Sequence, residues 1–309
     1  MAPINESDTV TPVSRPTLPV AGQPLTAKDY KGTLPPVWCP GCGDFAVLAA
    51  MQKALADLQL PPHEVVFVSG IGCSSRFPHF MNAYGFHAVH GRSLPVAVGR
   101  KLAAPDKTVI AVGGDGDGMA IGAGHFVHTA RRNPKLLYVM MDNEIYGLTK
   151  GQASPTSELG LKTKSTPFAA KEKSADQPIN PLALAIISGA TFVARTYSGK
   201  VKEMTDLIKA GLAHDGYAFI QAVSPCVTFH DIYEQAKANQ RQLAPTHDPS
   251  DKFAALNAAM TDPWVTGLFY QEKRQSLGTA FAKQAETAAA KKDTGLAGLA
   301  GQILATRAK

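Results

Sequence analysis

Four cysteines are the residues of this chain whose type points most directly to chemistry. Cys39 and Cys42 form a Cys-x-x-Cys pair, and Cys73 and Cys226 each come directly after a predicted strand. The carboxyl ends of parallel strands meet at one edge of a sheet, so both later thiols are expected there. Thiolates in fours hold either zinc or an iron–sulfur cluster, and their spacing alone leaves both open.

The run Trp-Cys-Pro-Gly-Cys-Gly at 38–43 also invites a thiol–disulfide redox interpretation. That interpretation needs a buried strand before the pair, whereas residues 29–37 are polar and interrupted by prolines. It would also leave the other two cysteines unexplained. A secreted disulfide scaffold would be shorter and richer in cysteine. The pattern therefore favours metal ligation.

Two acidic turns follow neighbouring predicted strands: Gly-Gly-Asp-Gly-Asp-Gly at 113–118 and Asp-Asn-Glu-Ile-Tyr-Gly at 142–147. Magnesium takes about six hard oxygen ligands and often shares phosphate oxygens. Asp115 offers a carboxylate, Asn143 an amide oxygen and Ile145 a main-chain carbonyl. These three leave room for two diphosphate oxygens and a water.

The glycines beside Asp115 allow main-chain N–H groups to approach a phosphate, and the following helix directs its positive dipole end there. An EF-hand is the rival interpretation. It fails because Met119 and Phe126 stand where oxygen ligands belong. A plain glycine-rich turn is the other alternative, and the second acidic turn weighs against it.

The ordered set of motifs resembles a known family. Gly-Asp-Gly followed by the later Asn is similar to the diphosphate-binding signature of thiamine-diphosphate enzymes. With Cys-Pro-Gly-Cys-Gly, Gly-Ile-Gly-Cys, His-Gly-Arg, Tyr-Gly-Leu-Thr-Lys-Gly-Gln and Ser-Pro-Cys, the chain resembles the β subunit of 2-oxoacid:ferredoxin oxidoreductases. The resemblance covers about residues 35–235, and its specificity lies in the ordered set rather than in any single motif.

The resemblance implies three cofactors, namely thiamine diphosphate, Mg²⁺ and one four-iron four-sulfur cluster. The implied cluster ligands are Cys39, Cys42, Cys73 and Cys226, and the implied magnesium ligands are Asp115, Asn143 and Ile145. The implied thiamine-binding residues are Ile71, Gly72, Cys73, Ser74, His90, Gly116, Asp117, Gly147 and Leu148. Cys73 would thus belong to both centres.

The family's activity implies oxidative decarboxylation of a 2-oxoacid with coenzyme A, a reaction expected to be reversible. Thiamine supplies the carbanion, and a single cluster passes electrons one at a time to ferredoxin. The overall likeness is closest to the 2-oxoglutarate group, which forms succinyl-CoA and CO2. Pyruvate and branched 2-oxoacids are alternatives, and phenylpyruvate or indolepyruvate enzymes are a rival with larger fused chains. A noncatalytic α/β protein with a four-cysteine zinc site is the rival from another class.

One catalytic group is not evident in the sequence. Thiamine enzymes need a glutamate beside the aminopyrimidine ring, and in this family a separate domain supplies it. None of Glu64, Glu144, Glu158 and Glu172 stands where such a base is expected. The resemblance therefore implies an α subunit, or a fused γ–α subunit, in a dimer of heterodimers.

Three further residues are candidates for contact with the substrate. Arg76 follows the Gly-Ile-Gly-Cys-Ser run and is a candidate for the substrate carboxylate, while Leu148 and Lys150 lie in the loop expected near the reacting carbon. A surface ion pair, core packing and a solvated lysine explain them about as well. His125 and His128 lie one helical turn apart, and we interpret them as helix-face residues rather than metal ligands.

Alternation of short apolar strands with helical patterns predicts the α/β class, with a parallel sheet covered by helices on both faces. This is the arrangement of the diphosphate-binding domain of thiamine enzymes. The predicted strands are 65–69, 108–112, 136–141, 191–194 and 219–223, and the predicted helices are 44–58, with Asp44 as N-cap, 95–102, 121–132, 181–188 and 201–213.

Composition divides the chain into three parts. Residues 1–30 are rich in proline and predict an extended or disordered arm, residues 31–235 hold the motifs, and residues 236–309 predict a helical extension. The polar stretch 148–178 predicts a functional loop.

The bulk composition is that of a soluble globular protein, with 45% hydrophobic and 18% charged residues. The net charge of +6 is modest, and no nucleic-acid-binding pattern accompanies it. No apolar run is long enough to span a bilayer, and the beginning of the chain lacks a secretion signal. We therefore expect a cytoplasmic protein that binds neither nucleic acid nor membrane.

Overall fold

The computed structural model describes residues 23–163 and 176–290. Most of the predicted arm, the middle of the polar loop with Glu172, and residues 291–309 lie outside this range. The structure differs from the predicted arm at its end, because Ala27–Tyr30 form a 3-10 turn whose Tyr30 is fully buried. The Tyr30 hydroxyl donates to the carbonyl of Leu55 at 3.0 Å, which fixes this segment on the domain.

Eight strands form the main sheet, and two short strands pair separately. The main-sheet strands are β1 (Val65–Ser69), β2 (Tyr84–His87), β3 (Thr108–Gly114), β4 (Leu136–Asp142), β7 (Phe192–Tyr197), β8 (Tyr217–Val223), β9 (Arg241–Gln242) and β10 (Val265–Gln271). The separate pair is β5 (Ile145–Tyr146) and β6 (Gln152–Ala153), which run antiparallel.

The sheet order is β2-β1-β3-β4-β8-β7-β10-β9, and every neighbouring pair except β7 and β10 is parallel. Strands β1, β4 and β7 are buried at every position, which explains the nearly continuous apolar sequences of β1 and β4, whereas β7 also buries Arg195 and Thr196. Strands β3 and β4 are direct neighbours, with Gly114 opposite Met141. The two acidic turns that follow these strands therefore lie side by side, as predicted.

Helices cover both faces of the sheet, which confirms the predicted fold class. They are α1 (Asp44–Asp57), α2 (Ser93–Ala103), α3 (Ala123–Arg132), α4 (Pro181–Ser188), α5 (Val201–Ala213), α6 (Tyr233–Asn239), α7 (Lys252–Thr261) and α8 (Leu277–Ala290). Alternate residues of β1 enter different cores: Phe67 packs with Leu55 of α1, and Val68 packs in the second core with Phe126 of α3. Helix α1 begins at Asp44 with Gly43 as its N-cap, so the predicted capping role of Asp44 is wrong.

The C-terminal extension contains helices α6, α7 and α8 as expected, together with two strands that the sequence analysis did not predict. Strand β10 pairs antiparallel with β7, and its register shifts between Leu268 and Tyr270. Gly267 has φ +133, which further obscures a regular strand pattern. The extension is thereby joined to the main sheet and is not a separate helical unit. Within the described residues, no helix is both long enough and apolar enough to cross a bilayer.

Candidate active site

The turns after β1, β3 and β4 enclose a cleft with a volume of about 300 Å³. All of the predicted thiamine-binding residues and all of the predicted magnesium ligands line it. The lining residues are Ile71, Gly72, Cys73, Ser74, His90, Gly114, Asp115, Gly116, Asp117, Asn143, Ile145, Tyr146, Gly147, Leu148 and Thr149. Gly114, Tyr146 and Thr149 were not assigned from the sequence, although all three stand in the quoted motifs.

Asp115 lies at the base of the cleft and is 1% exposed. Its Oδ2 accepts a hydrogen bond from the hydroxyl of Thr156 at 2.9 Å, and the same hydroxyl lies 2.9 Å from Oδ1 of Asp142. Burial and the nearby Asp142 carboxylate raise the pKa of Asp115 well above its usual range. Burial and Glu144 raise the pKa of Asp142 to about 6. Two carboxylates buried side by side fit a site whose charge a divalent cation completes.

The other two predicted magnesium ligands come from the turn after β4. Oδ1 of Asn143 accepts the main-chain N–H of Ile145 at 3.1 Å, which folds the turn and leaves a second lone pair on that oxygen. Ile145 is buried and opens β5. A carboxylate, an amide oxygen and a carbonyl on adjacent turns form the hard donor set that magnesium takes. The residues present therefore fit the ion.

Asp117 organises the cleft wall. Its Oδ1 accepts from the main-chain N–H of Ile71 at 2.9 Å and of Gly91 at 2.7 Å, and Nδ1 of His90 lies 2.9 Å away. One carboxylate oxygen thus joins the turns that follow β1 and β2. Its other oxygen, Oδ2, is buried, with no hydrogen-bond partner in the described part of the chain. This geometry assigns Asp117 a part in positioning the cleft as well as lining it.

The packing around Gly116 explains why the acidic turn has a glycine at this position. A Cβ atom there would overlap the ring of Tyr146, whose hydroxyl donates to the Gly116 carbonyl at 3.3 Å. Gly116 adopts ordinary right-handed helical angles, so the restriction comes from close packing and not from φ.

Replacing Gly116 by alanine is expected to destabilise the fold by about 1–3 kcal/mol, because the Tyr146 ring must move from the cleft wall. Thiamine diphosphate binding should weaken as well. Thermal denaturation and ligand titration would measure the two effects. The control is Gly99→Ala in α2, where the added Cβ meets no atom within 4 Å other than those of its chain neighbours and its own helix backbone, and where stability should rise by about 0.5–1 kcal/mol. Equal stability of the two variants would contradict the packing argument.

The four cysteines come from three segments that meet beside the cleft. A Cβ atom at Gly147 would lie 3.7 Å from Sγ of Cys73 and 3.8 Å from Sγ of Cys226. The thiols of Cys226 and Cys73 affect the pKa of Cys42, and those of Cys226 and Cys39 affect the pKa of Cys73. All four thiols are therefore near one another. Any side chain at position 147 would enter the space beside two of them.

Burial sets the acidity of two of these thiols. Burial and the Asp44 carboxylate raise the pKa of Cys73 to about 11, and the same causes raise the pKa of Cys42 further. Metal binding at this site must release those protons, because thiolate is the ligating form. Among the described residues, no three Cys, His, Asp or Glu side chains are arranged to hold a single metal ion.

Contacts between the three segments hold the cysteines in place. Nε1 of Trp38 donates to the carbonyl of Cys73 at 2.7 Å. The hydroxyl of Ser224 donates to the buried carboxylate of Asp44 at 2.6 Å, and the main-chain N–H of Gly43 donates to the carbonyl of Pro225 at 3.2 Å. The Cys-x-x-Cys segment is thereby tied to the segments of both other cysteines.

Of the three candidates for substrate contact, only Leu148 lines the cleft. Leu148 lines the cleft and is 44% exposed. Arg76 lies in the 3-10 helix Ser74–Phe80 and Lys150 is exposed with φ +80, and neither lines the cleft. His125 and His128 lie on α3, away from the cleft lining, in keeping with their interpretation as helix-face residues.

The chain matches two described protein families. Residues 70–222 match the C-terminal TPP binding domain of thiamine pyrophosphate enzymes, and residues 226–286 match the C-terminal region of the pyruvate ferredoxin oxidoreductase beta subunit. The boundary between the two matches falls at Cys226. The β10 strand and helices α6 and α7 thus belong to the second family region.

Curated relatives carry consistent names. The chain is 51% identical over 213 residues to 2-oxoacid:ferredoxin oxidoreductase 1, subunit beta, of Aeropyrum pernix, covering 69% of this chain and 66% of that protein. It is 50% identical over 215 residues to the corresponding beta subunit of Saccharolobus solfataricus, covering 69% of each. It is 41% identical over 229 residues to 2-oxoglutarate synthase subunit KorB of Methanocaldococcus jannaschii, covering 71% of this chain and 83% of that protein. The matched part thus spans about two thirds of the first two relatives.

A solved structure shows the same fold. It is a chain of the 2-oxoglutarate:ferredoxin oxidoreductase from Magnetococcus marinus, solved with 2-oxoglutarate, coenzyme A and succinyl-CoA bound. The TM-score is 0.82 at 40% sequence identity, over 86% of this chain and 91% of that chain. Together with the motif-lined cleft and the two matched regions, these similarities show that the chain belongs to the 2-oxoacid:ferredoxin oxidoreductase family, as a β subunit.

Proposed function

We propose that the chain carries the thiamine diphosphate, magnesium and four-iron four-sulfur centres of an enzyme that oxidatively decarboxylates 2-oxoglutarate with coenzyme A. Succinyl-CoA and CO2 are the products, and ferredoxin receives the electrons. The observation that carries this proposal is the position of Cys73, which lines the cleft and lies beside Cys226. The two proposed centres are therefore adjacent.

Each part of the cleft has a task in this proposal. Asp115, Asn143 and Ile145 would hold magnesium and through it the diphosphate, and Gly114 and Gly116 line the same cleft. When bound, thiamine diphosphate supplies the carbanion that attacks the 2-oxo carbon and accepts the electron pair left by departing CO2.

The cysteines carry the electron path. A cluster held by Cys39, Cys42, Cys73 and Cys226 would lie directly beside the cleft, because Cys73 itself lines the cleft. Cys39 is exposed, so the path leads from the cleft to the surface where an electron carrier docks.

The choice of 2-oxoglutarate rests on similarity. The Methanocaldococcus relative is named for 2-oxoglutarate, and the Magnetococcus structure contains that substrate. The Aeropyrum and Saccharolobus relatives are named only for 2-oxoacids, so pyruvate and branched 2-oxoacids are the alternative substrates.

The proposed assembly pairs this chain with an α subunit, or a fused γ–α subunit, in a dimer of heterodimers. No glutamate lines the cleft in the described part of the chain, which supports a base beside the aminopyrimidine supplied by the partner. The cytoplasmic location expected from the sequence stays a prediction.

Metal analysis tests the cluster. Protein purified without oxygen is expected to contain about four irons and four sulfides per chain and to absorb at the blue end of the visible spectrum. The variant Cys226→Ser should absorb more weakly, because serine oxygen is a harder ligand than thiolate. Iron and sulfide assays with visible and EPR spectra measure this. One zinc per chain, with no iron taken up on anaerobic reconstitution, would contradict the cluster assignment.

A further inference from the structure

A hydrogen-bonded network of buried polar side chains connects the proposed magnesium ligand Asp115 to the C-terminal extension. Its members are Thr156, Asp142, Gln221 and Arg195, each 7% exposed or less. They come from the loop after β6 and from strands β4, β8 and β7. Asp142 opens the acidic turn at 142–147 but was given no role there. Thr156, Gln221 and Arg195 stand outside the motifs, because they are distant in sequence and polar residues of ordinary type.

At the end of this network, Arg195 is held by main-chain atoms of the C-terminal extension. Nη1 of Arg195 donates to the carbonyl oxygens of Asp262 and Pro263 at 3.0 Å and of Val265 at 3.3 Å. These residues lead into β10. Arg195 is 3% exposed, and these hydrogen bonds hold its buried guanidinium in one orientation.

Arg195 sets the orientation of the next member. Its Nε donates to Oε1 of Gln221 at 2.8 Å, so the other end of the amide, Nε2, faces Asp142 and donates to Oδ2 at 2.7 Å. A flipped amide would place an oxygen against the Asp142 carboxylate and a nitrogen against the guanidinium. The arginine therefore decides which way the glutamine donates.

Gln221 in turn donates a hydrogen bond to the carboxylate of Asp142. With Oδ2 occupied by Gln221, Oδ1 of Asp142 accepts the main-chain N–H of Glu144 at 3.1 Å. Oδ1 also lies 2.9 Å from the hydroxyl of Thr156, which lies equally close to Asp115. That hydroxyl has one hydrogen for two carboxylates. Because Asp142 already has two other donors, the hydrogen is free to serve Asp115.

We propose that Arg195, Gln221, Asp142 and Thr156 are positioning residues for Asp115, and that through them the C-terminal extension sets the affinity of the magnesium site. Thr156 donates to Oδ2 of Asp115 at 2.9 Å and thereby restrains the carboxylate of a residue that lines the cleft. This inference rests on the proposed function, because it assumes that Asp115 binds the metal of thiamine diphosphate. It assigns the extension a part in cofactor binding that the motifs do not contain.

The test uses the full-length chain co-purified with its α partner, depleted of metal. Thr156→Val removes the hydroxyl at nearly constant volume, and Gln221→Met removes the amide. Each is expected to raise the Mg²⁺ concentration for half-maximal binding of thiamine diphosphate by about 10- to 100-fold, the usual effect of losing a residue that orients a metal ligand. Thr156→Ser keeps the hydroxyl and should restore binding. Turnover at saturating magnesium should be retained.

Thr196→Val is the matched control. Thr196 neighbours Arg195 on β7, and its hydroxyl is buried without a hydrogen-bond partner in the described residues. Its loss should leave magnesium affinity unchanged. Mn²⁺ bound in place of Mg²⁺ provides a second readout, since the EPR spectrum of the bound ion should broaden in Thr156→Val and not in Thr196→Val.

The outcomes separate the two proposals. If the affinity of the wild-type complex for thiamine diphosphate does not depend on the magnesium concentration, the proposed function fails and this inference fails with it. If the wild type depends on magnesium while Thr156→Val and Gln221→Met match it in affinity and Mn²⁺ spectrum, this inference alone is overturned. Loss of affinity in Thr156→Ser equal to that in Thr156→Val would also overturn it.

Discussion

Replacing Asp115 by alanine is expected to weaken magnesium-dependent binding of thiamine diphosphate by more than about 100-fold while leaving the cluster spectrum intact. The carboxylate is the only charged member of the proposed ligand set, and a lost ligand costs more than a lost orienting residue. It accepts from Thr156 and contacts none of the cysteines through hydrogen bonds. Binding would be followed by calorimetric titration at fixed magnesium, and the cluster by its visible spectrum.

This variant should fold at least as well as the wild type when metal is absent. A carboxyl whose pKa is raised in the folded state stabilises the fold only at low pH, and this stability is lost as pH rises through the raised pKa. At pH 7 the wild-type chain therefore gains nothing from burying Asp115 without a cation. Thermal denaturation of the metal-free proteins at pH 7 measures this.

Asp106→Ala is the matched control for the loss of a carboxylate. Asp106 stands just before β3, at the opposite end of the strand from Asp115, and it is exposed. Its loss should change neither cofactor affinity nor the spectrum. Full thiamine diphosphate occupancy in Asp115→Ala would show that the ligand assignment is wrong.

The chain by itself is expected to show no decarboxylation of any 2-oxoacid, even when cluster, magnesium and thiamine diphosphate are loaded. The reason is the position of its glutamates. Glu64 pairs with Lys107 at 2.7 Å near the amino end of β1, and Glu144 lies 3.3 Å from His230. A general base must be within hydrogen-bond reach of the proton that it removes, and no described glutamate lines the cleft.

Addition of an α subunit is expected to restore turnover, and a substrate panel then tests specificity. The assay would follow reduction of a low-potential acceptor with coenzyme A and either 2-oxoglutarate, pyruvate or a branched 2-oxoacid. The highest kcat/KM is expected with 2-oxoglutarate. Turnover by the single chain at the rate of the complex would place the base in this chain and contradict the shared site.

Much of the site could be predicted from sequence because its residues stand in short motifs at strand ends. A parallel sheet brings all its carboxyl ends to one edge, so residues that follow β1, β3 and β4 must converge whatever the remaining sequence is. For this reason Cys73, Asp115 and Asn143 could be placed together before any coordinates. The apolar strands predicted the buried sheet by the same logic, because a strand covered on both faces has no polar alternation.

The C-terminal strands could not be predicted in this way. Strand β10 contains a glycine with φ +133 and a register shift, and it lies at the antiparallel side of the sheet, where its pattern is only partly buried. Its pairing with β7 is a contact between segments far apart in sequence. Local propensity does not contain such information.

The sequence by itself determined the fold class, the family and most of the residues that line the cleft, because periodicity and motif order are local properties. Only the tertiary structure decided what these residues do to one another. It showed that Asp117 ties two turns together, that Arg76 and Lys150 lie outside the cleft lining, and that Thr156 reaches Asp115. Hydrogen bonds between side chains depend on the distance and direction of particular atoms, which chain folding sets and residue order does not reveal.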